Sequence, residues 1–293
     1  MLIEIDFEKY NFLFSKYGGS FSCHPRVLQI ISKLSNIKIL YHGIMIENEL
    51  VGGFPVYNNW ICSSEEMLKS CDLLKYIDIG QSDLILPINS ISKINLEFKA
   101  SWLSSNNTTI DNMLLDSRFT VAIAKGINHG KIRMSKKKQQ QRRGDIKKII
   151  ELGAMFVPIN SLTPNEFIKH YVTLFHKRWN KDPHPMPAEY FATTIVELWN
   201  MLAGDILIIN GEPIAMHILY AVNNPRSLDY NFVQMAVDPQ YKDFSVGSAL
   251  IYNNILTAEE LAHTLGKTLR FCFGKSSPYK TKWCYESPVY ITS

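Results

Sequence analysis

The sequence predicts an α/β protein assembled from two copies of one unit, and three observations carry that reading. First, two β-rich runs fold back about short polar turns. Ile37–Ile46 pairs with Leu50–Tyr57 about Glu47-Asn48-Glu49, and Asp205–Ile209 pairs with Glu212–Val222 about Asn210-Gly211. The two stretches match in pattern to within one residue, Ile-Met-Ile-Glu-Asn-Glu from Ile44 against Ile-Leu-Ile-Ile-Asn-Gly from Ile206. Second, apolar residues recur at helical spacing through Val27, Leu28, Ile31 and Leu34, and again through Phe167, Tyr171, Leu174 and Phe175. Third, a strand at Leu228–Val237 leads through a small-residue turn into a long amphipathic helix ending near Gly266.

Taken in order, Tyr17-Gly18-Gly19-Ser20 is a turn, and His24-Pro25 opens the first helix. His24 suits a ligand or base, but a His before a Pro is more often a cap or a turn residue. A helix lies within residues 62–80, and Phe119–Ala124 reads as a short buried strand. Asp72, Asp78 and Asp83 are too unevenly spaced for a metal motif. From Lys125 to Lys148 the chain turns basic, with Ile146, Ile149 and Ile150 as an apolar edge before Gly153. That is a helix with one solvated basic face. The same charge also suits a phosphate-bearing cofactor, an anionic lipid surface or an acidic carrier. No aromatic residue in the run would stack on a base, and no helix-turn-helix is visible, which argues against a DNA-binding regulator. Thr163-Pro164-Asn165-Glu166 is a capping box. Asp182–Pro187 is a proline-rich loop suited to frame a substrate entrance, and a helix then runs through Phe191, Ile195, Leu198 and Leu202 to Gly204. Thr268–Phe273 is a last short strand.

Composition bounds the function. With 293 residues, 46% hydrophobic and 20% charged, the chain suffices for one large or two ordinary domains. A net charge of +4 does not mark a nucleic-acid binder. Five cysteines without a C-x-x-C suggest reduced thiols. The start, MLIEIDFEKY, does not read as a signal peptide, and no apolar run approaches the roughly 18 residues of a membrane span. The expectation is a cytoplasmic protein, peripheral at the inner membrane at most.

The chemistry points to Asp238–Leu250. Pro239 stops the strand, and Ser245-Val246-Gly247-Ser248 brings small residues to a helix start. Free amides and the helix dipole there attract an anion, and Gly247 lets a pyrophosphate approach. A plain strand–loop–helix connection uses the same residues.

These features in sequence resemble the acetyltransferase-like lobe of the FemAB-like superfamily, within the GNAT fold. The pieces are the basic helix before Gly153, the Phe175–Trp179 helix end, the Gly211 hairpin, Asp238-Pro239-Gln240-Tyr241 with Ser245-Val246-Gly247, and Arg270–Gly274 with Tyr279, Lys280 and Trp283. The stretch from Tyr17 to Pro25 also resembles the Mig-14 family of bacterial antimicrobial-peptide-resistance proteins. The resemblance implies tandem GNAT-like lobes, each a mixed, mostly antiparallel sheet flanked by helices. The expected divisions are 1–128, a first lobe without a cofactor site; 129–153, the basic connecting helix; and 154–293, the second lobe.

It also implies acyl or aminoacyl transfer to an amine or hydroxyl of an envelope-related acceptor. The donor would be acyl-CoA or an aminoacyl group, with no metal and no nucleic acid except an aminoacyl-tRNA donor. Candidate catalytic residues are Asp229, Tyr230, His217 and Tyr279. Candidate donor-binding residues are Ser245, Val246, Gly247, Ser248 and Lys280. Two departures stand out: Cys272 occupies a position where members often carry an acid, and the anion loop holds a single glycine. The competing expectation is a non-catalytic binding or regulatory protein at an anionic membrane surface.

Overall fold

The structure, a computed structural model, describes residues 1–90, 93–179 and 187–292. The expected entrance loop at 182–187 lies outside them except for Pro187. The first lobe contains β1 (Leu2–Ile5), α1 (Phe7–Tyr17), α2 (Pro25–Ser35), β2 (Leu40–Ile46), β3 (Glu49–Tyr57), β4 (Trp60–Ile61) and α3 (Glu65–Ser70). Next come β5 (Leu103–Ser104), β6 (Met113–Ala124), α4 (Lys136–Glu151), β7 (Met155–Pro158), α5 (Pro164–Trp179) and α6 (Ala188–Glu197). The chain ends with β8 (Asp205–Ile209), β9 (Glu212–Asn223), β10 (Ser227–Val237), α7 (Val246–Thr264), β11 (Thr268–Lys275) and β12 (Cys284–Thr292).

Local chemistry accounts for most of these boundaries. Both hairpins close through residues at positive φ: Glu47 and Asn48 at 49° and 66°, Asn210 and Gly211 at 51° and 82°. Two such residues in succession give the turn whose twist matches paired strands. His24 is a cap: its Nδ1 accepts the Arg26 amide at 3.1 Å, and burial lowers its pKa to about 4. Thr163 and Glu166 cap each other reciprocally at the start of α5. Ser135 caps the basic helix α4. That helix buries Arg142 and Ile149 and leaves its other cations on the solvent side. One helix is shorter than its periodicity predicts. α6 ends at Glu197, and a 3₁₀ turn at Trp199–Met201 completes the apolar stripe.

The first sheet has the order β1-β2-β3-β4 and the second β5-β12-β6-β11-β10-β9-β8-β7. Strand pairing crosses the expected boundary at residue 128. β6 lies between β11 and β12, so the second sheet takes a central strand from the first part of the chain. The expected short strand at 119–124 is therefore twelve residues long. Its pairing with the unanticipated terminal strand β12 is a long-range event that no local pattern signals.

A buried polar seam joins the lobes. Asn224 accepts the Gly19 amide at 3.0 Å and donates to the Gly19 carbonyl at 2.9 Å. Asn231 donates to the Ile79 carbonyl at 2.8 Å. Arg270 pairs with Asp83, whose side chain is fully buried. A side chain at Gly19 would strike the Phe14 ring and the Ile85 carbonyl, so the backbone itself must lie in the seam. Removing one member of a buried ion pair strands its partner in a dry site, at about 3–5 kcal/mol. We expect Asp83→Ala and Arg270→Ala each to lose about that much stability by urea denaturation. The double variant Asp83→Leu/Arg270→Met should recover most of it; no recovery would mean that the pair is not the reason for the loss.

Candidate functional site

β10 and β11 are parallel neighbours in a sheet whose other pairings are antiparallel. They pair only from Ser227/Thr268 to Asn231/Cys272. Beyond that point β10 continues to Val237 and β11 to Lys275, without a bridge between them. A register irregularity between Phe232 and Gln234 bends β10 at the same level. On the first-lobe side the divergence is met by backbone: Gly80 lies against Val233 and Gly274 against Gln81. On the α7 side, Phe232 and Phe273 meet across it with ring centroids 4.9 Å apart.

β10 then delivers the chain, through a 3₁₀ turn at Pro239–Phe244, to the start of α7. Ser245 takes a left-handed conformation there, φ 55°, and its side chain caps nothing. Among the described residues no side chain accepts the amides of Val246, Gly247 or Ser248, so this helix start keeps its affinity for negative charge. Gly247 has a structural reason as well. A Cβ there would lie 3.1 Å from Val237 Cγ2 and 3.2 Å from Met235 Sδ, so glycine permits close helix–strand packing.

The structure does not gather the four candidate catalytic residues. His217 lies opposite Met235 and Asp229 opposite Val222, which places them six β10 positions, roughly 20 Å, apart. They also face opposite sides. Asp229 points into the lobe seam, where its carboxylate accepts from Asn224 and from Ser227 at 2.9 Å. Burial raises its pKa, against the opposing pull of Arg270. His217 points to α7 and is fully buried. Its Nδ1 meets Asn254 Nδ2 at 3.1 Å, and its Nε2 has no partner among the described residues. Because Asn254 Oδ1 accepts the Asp205 amide, its Nδ2 donates and His217 Nδ1 accepts. Burial pushes the imidazole down to about 3, so it stays neutral. Neither group reaches solvent as a base. Tyr230 is buried in a stack on Phe271, with centroids 5.3 Å apart.

Tyr279 differs in being exposed. Burial of part of its ring raises its pKa, while nearby Arg178 opposes that shift. Lys280 is buried, and so is withdrawn from a phosphate at the surface. Its Nζ donates to the Phe273 carbonyl at 2.6 Å and to the Lys275 carbonyl at 2.7 Å, tying the end of β11 to the following turn. Cys272 is buried, with its thiol raised to about 11 chiefly by desolvation. Asp83 Oδ1, from the first part of the chain, lies 3.8 Å from the sulfur.

Sequence reasoning missed Arg178. It stands exposed at the end of α5, donates to the Met235 carbonyl at 3.0 Å and lies over the Trp179 ring. The neighbouring Lys177 pairs with Asp238 at 2.8 Å. Both cations thereby attach to the end of β10 that leads to α7. The signal was present as a basic pair at the end of an aromatic helix, but nothing local says that α5 crosses β10 there. Among the described residues, no group of three or more His, Cys, Asp or Glu is placed to hold a metal. Among the described residues, no helix is long and apolar enough to cross a membrane.

A mixed sheet in which, among the described strands, one parallel pair diverges before a helix start, in two lobes, defines a tandem GNAT-like fold. Solved structures agree. FemX matches with a TM-score of 0.58 at 9% identity, over 99% of this chain and 96% of that one. L-PGS from Bacillus licheniformis matches at 0.52 with 11% identity, over 98% and 91%. The C-terminal domain of a putative lysylphosphatidylglycerol synthetase from Agrobacterium fabrum matches at 0.51 with 9% identity, over 97% and 90%. Such identities establish the fold alone. The Mig-14 family model matches residues 24–292, and the chain belongs to that family. No curated protein matches the sequence.

His217 makes stability depend on acid. The unfolded imidazole takes a proton near its ordinary value of 6.5, the folded one only near 3. Stability is therefore fully present above pH 6.5 and is lost progressively as pH falls towards 3. At pH 5 the loss from this group is about 2 kcal/mol. We expect His217→Asn to flatten the fall in urea midpoint between pH 7 and 5. An equal fall in wild type and variant would assign the acid sensitivity elsewhere.

Proposed function

We propose that this protein is an acyl- or aminoacyltransferase whose donor places a phosphate on the amides of Val246–Ser248. The observation that carries the reading is the helix start without side-chain caps, reached directly from a parallel strand pair that separates after Asn231 and Cys272. Arg178, fixed on Met235, adds a cation on the same strand end. Exposed Tyr279, with Arg178 as its electrostatic neighbour, is the candidate acid for the leaving group. His217 and Asp229 act in this reading as structural groups: one holds α7 through Asn254, the other holds the lobe seam through Asn224. The amine or hydroxyl that attacks the donor carbonyl belongs to an envelope-related acceptor. That choice draws on the fold neighbour named as a lysylphosphatidylglycerol synthetase and on the resemblance to resistance proteins.

The enclosure of His217 and Asp229 favours a second reading, a non-catalytic binding protein on the same fold. Native mass spectrometry against acyl-CoA and aminoacyl donors separates the two: a bound donor that turns over on an amine supports transfer, and a bound donor that persists supports binding alone. We expect Ser248→Glu, which sets a negative charge on the free amides, to weaken donor binding about ten-fold. Unchanged donor affinity in that variant would remove the helix start from the site.

A further inference from the structure

The far end of α7 carries a second cleft that the transfer reading does not use. It has a volume of about 400 Å³ and lies between the C-terminal turns of α7, the start of β11 and the loop at 125–132. The loop is a built structure. Glu259 of α7 receives the backbone amides of Ile127, Asn128 and His129 at 2.7–3.1 Å, so its charge is fully engaged inside the protein. Gly126 bonds to Ile132 and Met134, and a Cβ on it would fall 1.9 Å from the His129 carbonyl oxygen, so glycine alone closes this turn. The result places His129 flat against His263 of α7, with centroids 4.1 Å apart and planes within 15°.

Cations outnumber acids in the lining of the cleft, with Lys125, Lys131 and Lys267 against Glu259. Lys125 donates to the Thr281 carbonyl, and Lys267 donates to Asn223 Oδ1 and the Asn224 carbonyl, so neither has a carboxylate partner among the described residues. Lys131 is exposed at the rim. Among the described residues the one acid in the lining is Glu259, already satisfied by the loop amides; Glu260, outside the lining, accepts from Asn128 at 3.0 Å and lies 3.8 Å from His129 Nε2, which leaves His263 and Lys131 as the donors open to an anion. The floor is apolar, made by Ala262, Leu269 and Phe271. A preformed apolar floor with a few convergent polar groups is the usual character of a small-molecule site, and this volume falls within the ordinary range.

We propose that this cleft binds an amphipathic phosphate, with the apolar body on Ala262, Leu269 and Phe271 and the phosphate at Lys131 and His263. The ligand chemistry is the same whether the phosphate belongs to a soluble metabolite or to a phospholipid headgroup. The site is separate from the donor loop, since Gly247 and Ala262 stand fifteen helical residues, about 22 Å, apart along α7. It therefore stands whether or not the chain transfers acyl groups.

Calorimetry with hexyl phosphate and with inorganic phosphate tests the site, beside sedimentation with phosphatidylcholine vesicles with and without phosphatidylglycerol. Hexyl phosphate should bind, and inorganic phosphate should bind at least about ten-fold more weakly because it leaves the floor uncovered. Lys131→Glu on the exposed loop and Thr268→Trp at the exposed edge of the cleft should each weaken hexyl phosphate about ten-fold without moving the urea midpoint. Ser248→Glu should leave it unchanged. Anionic-vesicle binding lost with Thr268→Trp identifies a lipid source; hexyl phosphate binding without vesicle binding identifies a soluble one. No binding of hexyl phosphate overturns the proposal. So does binding indifferent to Thr268→Trp, and so does vesicle binding that responds to Lys131→Glu alone, which is surface charge without a site.

Discussion

The buried pairing of Arg270 with Asp83 is the constraint on which the rest of the architecture depends. Asp83 comes from an irregular segment of the first lobe, Arg270 from a central strand of the second, and neither charge is stable in a dry interior without the other. Asp229 lies close enough to feel both. Its raised pKa reports a site with two acids and one base, where burial disfavours a second negative charge. Such a pair adds little net stability over an apolar replacement. Its effect is positional, because an alternative docking of the lobes would leave a charge buried and alone.

That positioning acts on the sheet. Asn231 and Cys272 are the last residues of the parallel pair, and both are met by the first lobe: Asn231 by the Ile79 carbonyl, Cys272 by Asp83. Gly80 and Gln81 then lie against the two strands just past the last pairing. Segment 79–83 is thus seated where the strands separate, opposite the Phe232–Phe273 contact on the α7 side. The helix is anchored at two further depths: Asn254 bridges His217 and Asp205, and Glu259 holds the loop at 127–129. α7 consequently presents free amides at one end and a preformed cleft at the other on one rigid rod.

Short-range chemistry was legible in the chain. The Asn210-Gly211 and Glu47-Asn48 turns, the Thr163–Glu166 box, the His24 cap and the run from Leu228 into α7 all appear where residue type demands them, because each depends on groups within a few positions of one another. The site was legible only in outline. The helix start at Val246–Ser248 could be read from small residues after a proline. The roles of Lys280, His217 and Asp229 could not, since each is set by partners from another element.

The sequence by itself determined an α/β chain of two related hairpin units, a basic helix and one small-residue helix start after a strand, because periodicity, turn residues and caps act locally. Tertiary structure alone decided which strands pair, and so placed β6 beside β11 and carried Arg178 to Met235. It also buried His217 and Asp229 on opposite faces and left Tyr279 exposed. The physical reason is that burial and charge pairing depend on which distant surfaces meet, and a residue's protonation and reach follow from burial, not from its place in the chain.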